Sequence, residues 1–216
     1  MKIMDRKVYY SFHEIPFEHE YGYIKPKIRF SKIEAIHLLI SILILSFAFS
    51  FALSYPFYRN FNYFIAILPV SFLAIITAFV FHELGHKFIG QKYGYWSEYR
   101  MFPQGLMLAL FLGIFTPFVF AAPGAVQIFG MPTREESGKI AMAGPLINII
   151  ISAIFYLLSN FFLKRVFISI ATINAFLAIF NLIPIGPLDG RKVFYWDIKI
   201  WAIMLIASVV IFIIAI

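Results

Sequence analysis

Five stretches of this chain are apolar for long enough to cross a lipid bilayer, and no other feature narrows its possible folds as far. The hydrocarbon core of a bilayer is about 30 Å thick and takes roughly 20 apolar residues as a helix. Residues 33–55, 63–90, 142–162, 166–185 and 200–216 approach or exceed that length. Hydrocarbon offers no partner to a backbone N–H or C=O, so a spanning segment must satisfy its own as a helix or join a closed barrel. Long apolar runs without strict alternation predict helices. The composition agrees: 62% of residues are hydrophobic and 13% charged, against about 45–50% apolar and about 25% charged in soluble domains. The expected fold is an all-α polytopic membrane protein of about five to six transmembrane helices with short β-strand or re-entrant elements.

A sixth apolar stretch, residues 106–126, is ambiguous. It is broken by Gly113, Pro117, Pro123 and Gly124 and is rich in β-favouring Phe, Thr and Val. Lys and Arg favour the cytoplasmic side of a membrane, which supplies a test. If 106–126 spans, twelve of the 18 basic residues fall on one side and six on the other. If it does not span, only Arg59, Lys164 and Arg165 are left on the far side. The second arrangement is the cleaner. Non-helical backbone at membrane depth has to line protein or a cavity, so 106–126 is expected to be strand-like or re-entrant and to line something. The same count puts the N-terminus in the cytoplasm and the chain in the cell membrane.

The organisation expected is an interfacial N-terminal segment, 1–32, followed by a membrane-embedded unit, 33–216. Residues 1–32 contain seven Lys or Arg and no long apolar run, so no secretory signal is read there. Their aromatic, partly alternating pattern suggests short strands at the membrane surface. His13, Glu14, Glu18, His19 and Glu20 cluster in this segment without regular ligand spacing and read as solvated polar residues. The net charge of +7 is explained by basic residues flanking spans and meeting anionic lipid, so no nucleic-acid partner is inferred. With no cysteine, disulfides and thiolate metal sites are excluded.

Chemistry enters at HELGH, residues 82–86, at the end of the second apolar run. On a helix, residues i and i+4 share a face, so His82 and His86 can hold one ion. Zinc accepts imidazole at about 2.0–2.1 Å. Glu83 lies about 100° around the axis. It is poorly placed as a third ligand and well placed to take a proton from water that the ion activates. The bland alternative is a set of interfacial polar residues at a helix end, with Glu83 and Lys87 as an i,i+4 pair. Ionisable groups inside a span are costly and mark function by default, which favours the metal.

A catalytic zinc keeps three protein ligands and an open position. Candidates for the third include His13, His19, His37, Glu98, Glu135, Glu136 and Asp197. Asp189 stands apart, because it closes an apolar run in NLIPIGPLDG (181–190), where prolines and glycines break the helix. That places the carboxylate on irregular backbone at membrane depth. His82 and Asp189 both follow their own runs, so the two spans must be parallel and an odd number of spans must separate them. That holds when 106–126 does not span, which is the topology the charge count prefers. A His-His-Asp set suits a single zinc ion.

At these residues the chain resembles the site-2 protease family of intramembrane zinc metalloproteases, in its archaeal-type branch. That family pairs HExxH on one span with an NxxPxxPLDG-type motif on a later one, read here as HELGH and NLIPIGPLDG. AGPLIN (143–148), FAAPGAV (120–126) and GKIAMAGPLIN (138–148) extend the likeness over roughly residues 30–190. The resemblance implies His82, His86 and Asp189 as zinc ligands and Glu83 as the base. It also implies Asn148 as a catalytic polar group near the oxyanion or the substrate backbone, and 106–126 as an element that presents substrate. A helix–helix hydrogen bond is the structural alternative for Asn148. Arg191 stands where the family has a second glycine after Asp-Gly, and no PDZ or CBS module is recognised. The function expected is hydrolysis of peptide bonds within or near transmembrane segments, on a membrane-protein substrate whose helix is locally unwound. The competing readings are a different HExxH membrane peptidase, a catalytically inactive metal-binding scaffold, and a zinc carrier. A carrier would be expected to show symmetric ligand-bearing halves, and no repeat is seen.

Overall fold

The structure, a computed structural model, describes residues 28–56, 60–119, 122–161 and 163–216. Five of its helices are long and apolar enough to cross a membrane. They are α1 (Lys32–Leu53), the continuous rod formed by α2 (Phe61–Ile75), a π-helical segment (Ile76–Val80) and α3 (Phe81–Lys92), then α5 (Arg134–Leu158), α6 (Lys164–Asn181) and α8 (Ile198–Ala215). The shorter elements are β1 (Trp96–Met101), α4 (Pro103–Phe115), β2 (Gly124–Phe129) and α7 (Asp189–Trp196). The chain is therefore an all-α polytopic membrane protein with one small two-stranded sheet.

Side chains start these helices where the backbone needs acceptors. Ser31 accepts from Glu34 N–H ahead of α1. Thr133 and Glu136 form a reciprocal capping box at α5. Asp197 accepts from the N–H groups of Lys199 and Ile200 at α8. Each such cap is worth about 1 kcal/mol. The capping box also explains why α5 starts at Arg134 rather than at Met142, where the span expected from the sequence begins. The polar turn REESGK continues the helix beyond the apolar run.

Residues 106–126 are neither a span nor one continuous strand. They divide into the end of α4 and the start of β2. Pro103 occupies the first turn of α4, where its missing N–H costs nothing. Thr116, forced out of the helical region by Pro117, ends it in an extended conformation (φ −139°, ψ 159°). Thirteen residues reach about 20 Å, short of a bilayer's core. β2 pairs antiparallel with β1, Tyr99 standing opposite Val126. β1 departs from what the sequence predicts, since WSEYRM mixes charged and aromatic residues and shows no clean period. The N-terminal strands and the cluster His13, Glu14, Glu18, His19 and Glu20 lie outside the described residues.

α5 is the hub of the bundle and packs on α3, α6, α7 and α8. Two contacts fix the relative direction of the rod and α6. Asn174 Nδ2 donates to Thr77 Oγ1 at 3.0 Å, and further along both chains Asp189 reaches His82 and His86. Both pairs advance together, so the two spans run parallel.

Candidate metal centre

Two imidazoles and one carboxylate converge at the end of the rod. His82 and His86 stand one turn apart on α3, with their Nε2 atoms 3.0 Å from each other. Asp189 Oδ2 lies 3.3 Å from His82 Nε2 and 3.0 Å from His86 Nε2. A tetrahedral ion with ligands at about 2.0–2.1 Å separates them by about 3.3 Å along each edge. The triangle matches one face of that tetrahedron. A cation between them would satisfy all three lone-pair-bearing atoms at once. Among the described residues this is the group of His, Asp or Glu side chains arranged to hold a metal ion.

The surrounding chain holds the triangle in place. His86 Nδ1 donates to the Ile140 carbonyl at 2.8 Å, which leaves Nε2 free to face a ligand. Gly144 is the residue of α5 against the pair. A Cβ there would lie 2.4 Å from His86 Nε2 and 2.7 Å from His82 Nε2, so only glycine lets α5 approach. Asp189 is the first residue of α7 rather than part of irregular backbone; the irregular stretch is 182–188, just before it. Trp201 Nε1 donates to the Leu182 carbonyl at 2.7 Å and ties that stretch to α8. A Cβ on Gly190 would lie 2.1 Å from the same carbonyl, so the Asp-Gly pair is what lets α7 close onto the end of α6.

Glu83 is buried and reaches β2, accepting from Val126 N–H at 3.0 Å. Together with Asp189 it puts two carboxylates in one site, a charge that a single divalent ion neutralises. Asn148, one turn beyond Gly144 on α5, is fully buried, and neither of its amide atoms has a hydrogen-bond partner among the described residues. The helix–helix bond considered for it is therefore absent. Beside the site lies a cavity of about 640 Å³, lined by apolar side chains of the rod and α6 and by the edge of β2.

The other candidate third ligands among the described residues go elsewhere. His37 Nδ1 accepts from Met101 N–H. Glu98 pairs with Arg100 and Glu135 with Lys139, while Glu136 and Asp197 cap helices. Lys87 does not pair with Glu83 along the helix. It bonds Glu34 across to α1 at 2.8 Å, both side chains wholly buried. Neither that pair nor the Val126–Glu83 bond is legible in the sequence, since the partners lie 53 and 43 residues apart.

The chain is similar to two proteins named "Putative zinc metalloprotease". It is 43% identical over 182 residues to MJ0611 of Methanocaldococcus jannaschii, covering 82% of this chain and 91% of that protein. It is 27% identical over 162 residues to YwhC of Bacillus subtilis, covering 62% of this chain and 72% of that protein. A third relative, the zinc metalloprotease MJ0392 of M. jannaschii, is 29% identical over 129 residues, and the match covers 57% of this chain and 33% of that longer protein. No protein-family model matches, and no solved structure does. Identity at this level across nearly the whole of a relative, with the motifs and membrane helices described above, makes this chain a member of the site-2 protease family of zinc metalloproteases.

Proposed function

We propose that the protein is an intramembrane zinc metalloprotease that hydrolyses peptide bonds within or near transmembrane segments of other membrane proteins. The observation that carries this is the triangle of His82 Nε2, His86 Nε2 and Asp189 Oδ2, with sides of 3.0–3.3 Å, on the wall of an apolar cavity. These three residues would hold one zinc ion, which supplies a Lewis acid that polarises a carbonyl and acidifies water. Glu83 is the general base. It takes a proton from the attacking water and delivers it to the leaving nitrogen as the C–N bond breaks. Asn148, whose buried amide has no partner among the described residues, is assigned to the oxyanion or the substrate backbone.

The partner is a membrane-protein helix. Its carbonyls are hidden in i to i−4 hydrogen bonds, so it must unwind to be cut, and an extended peptide has β2 beside the site to pair with. Residues 33–216 form the metalloprotease unit, and 1–32 lies at the interface. The site end of the bundle carries Lys32, Lys92, Arg100, Arg134, Lys139, Arg191, Lys192 and Lys199, against Lys164 and Arg165 at the other end, which supports a cytoplasmic N-terminus and a site near the cytoplasmic face of the cell membrane.

The test compares the wild-type protein with Glu83→Gln in lipid vesicles, using a single-span peptide with a central Gly-Pro break. The wild type should bind one zinc and cut the peptide. Glu83→Gln should keep the zinc and lose cutting by about 10²–10⁴-fold. Equal cutting by both proteins removes Glu83 from the chemistry, and a wild type that binds zinc but cuts no peptide is a scaffold or a carrier.

A further inference from the structure

The sheet has two outer edges, and the protein treats them oppositely. On β1, the outward backbone groups are met by side chains. The Ser97 carbonyl accepts from Lys87 Nζ at 2.8 Å and from Gln91 Nε2 at 3.2 Å. Tyr99 N–H donates to Glu34 Oε1 at 3.0 Å, and Met101 N–H to His37 Nδ1 at 3.4 Å. α1 and α3 thus seal this edge against another strand. On β2, residues Gly124, Val126 and Ile128 turn their backbone outward, standing opposite Met101, Tyr99 and Ser97, whose own groups face away. This edge lines the cavity. Among the described residues no backbone hydrogen bond leaves it for another element. Its one side-chain partner there is Glu83, on Val126 N–H.

We propose that a substrate peptide adds to β2 in a single register, and that the peptide bond cut is the one whose carbonyl stands opposite Val126. An added strand presents one carbonyl to each outward N–H of the strand it joins. The N–H of Val126 is occupied by Glu83, so the carbonyl facing it is the one the ladder leaves unbonded. That carbonyl lies next to Glu83 and to the His82–His86–Asp189 group. The carbonyls two residues to either side bond Gly124 and Ile128 and carry the binding. Val126 is then a positioning residue, holding the base at the cut bond, while the N–H of Ile128 contributes affinity. The proposal rests on the protease reading above and adds to it which bond is broken.

Two proline variants separate these roles, because each removes one outward N–H and leaves the β1–β2 ladder intact. The full chain is reconstituted with the Gly-Pro peptide in phosphatidylcholine–phosphatidylglycerol vesicles. Ile128→Pro should raise KM about tenfold with kcat nearly unchanged, the effect of one lost hydrogen bond. Val126→Pro should leave KM within about twofold and lower kcat about tenfold or more, since Glu83 loses its donor. Equal rises in KM for both variants would overturn the register. The chain has no cysteine, so a second arm needs one substitution only. Ile128→Cys in the Glu83→Gln background should cross-link the peptide residue two positions from the one whose carbonyl the active enzyme cuts. An offset other than two overturns the proposal even if the proline variants fail to fold. If the zinc-loaded wild type cuts nothing, the protease function falls, and the absence of any cross-link in the Ile128→Cys variant would show separately that no peptide lies on β2.

Discussion

α3 carries two buried polar clusters within six residues, and they are built on opposite principles. Lys87 and Glu34 form a closed network of charge. Each is fully buried, the two are 2.8 Å apart, and their remaining capacity is used by the Ser97 carbonyl and the Tyr99 N–H. His82, His86 and Asp189, one turn away, leave lone pairs facing each other, with Glu83 adding a second negative charge and Asn148 an unpartnered amide. Within a membrane an unmatched group costs several kcal/mol and persists only where something else is gained. The matched cluster is structural, joining α1, α3 and β1. The unmatched one has the donor set that an ion and a peptide would complete.

That contrast breaks first at the ligands. His86→Ala and Asp189→Ala should each abolish zinc retention and cleavage, measured by metal analysis of the purified protein, while its helical content stays at the wild-type level. Full zinc in Asp189→Ala would remove the aspartate from the metal set. The matched cluster should respond in stability instead. Glu34→Gln leaves a buried ammonium without its counter-charge, and such a loss costs about 3–5 kcal/mol. The expected result is a large fall in the temperature of unfolding in detergent, with zinc still bound by the molecules that remain folded. Replacing both partners with Met should cost less than either single change, as buried pairs exchanged for apolar residues often do. Greater loss in the double variant would mean that Glu34 and Lys87 act separately. At the small end, Lys139→Ala removes an exposed i,i+4 partner of Glu135 and should leave both unfolding and cleavage unchanged.

The two spans of the site are unequally legible in the sequence. HELGH can be read because its ligands are related by one helical turn, a distance set by local geometry. Asp189 emerges only through a break in its apolar run and a parity condition on the spans, and the structure puts it on a helix start that those residues do not advertise. The division of 106–126 into a helix and a strand is hidden because Pro117 and the β-favouring residues speak for irregular backbone along the whole segment, whereas the apolar residues before the proline have no reason to leave a helix. β1 is hidden because the pairing that makes WSEYRM a strand comes from residues some thirty positions away.

By itself, then, the sequence determined that the chain crosses a membrane, which residue types could hold a metal, and the spacing of the two histidines. These follow from transfer energy and from the pitch of a helix, and need no knowledge of neighbours. Only the tertiary structure decided that Lys87 serves α1 rather than Glu83, that Gly144 makes room for the histidines, and that one edge of the sheet is sealed while the other faces the site. Each of these depends on which distant backbone group a side chain meets, and hydrocarbon, which tolerates no unpaired polar group, turns that meeting into the arrangement of the whole site.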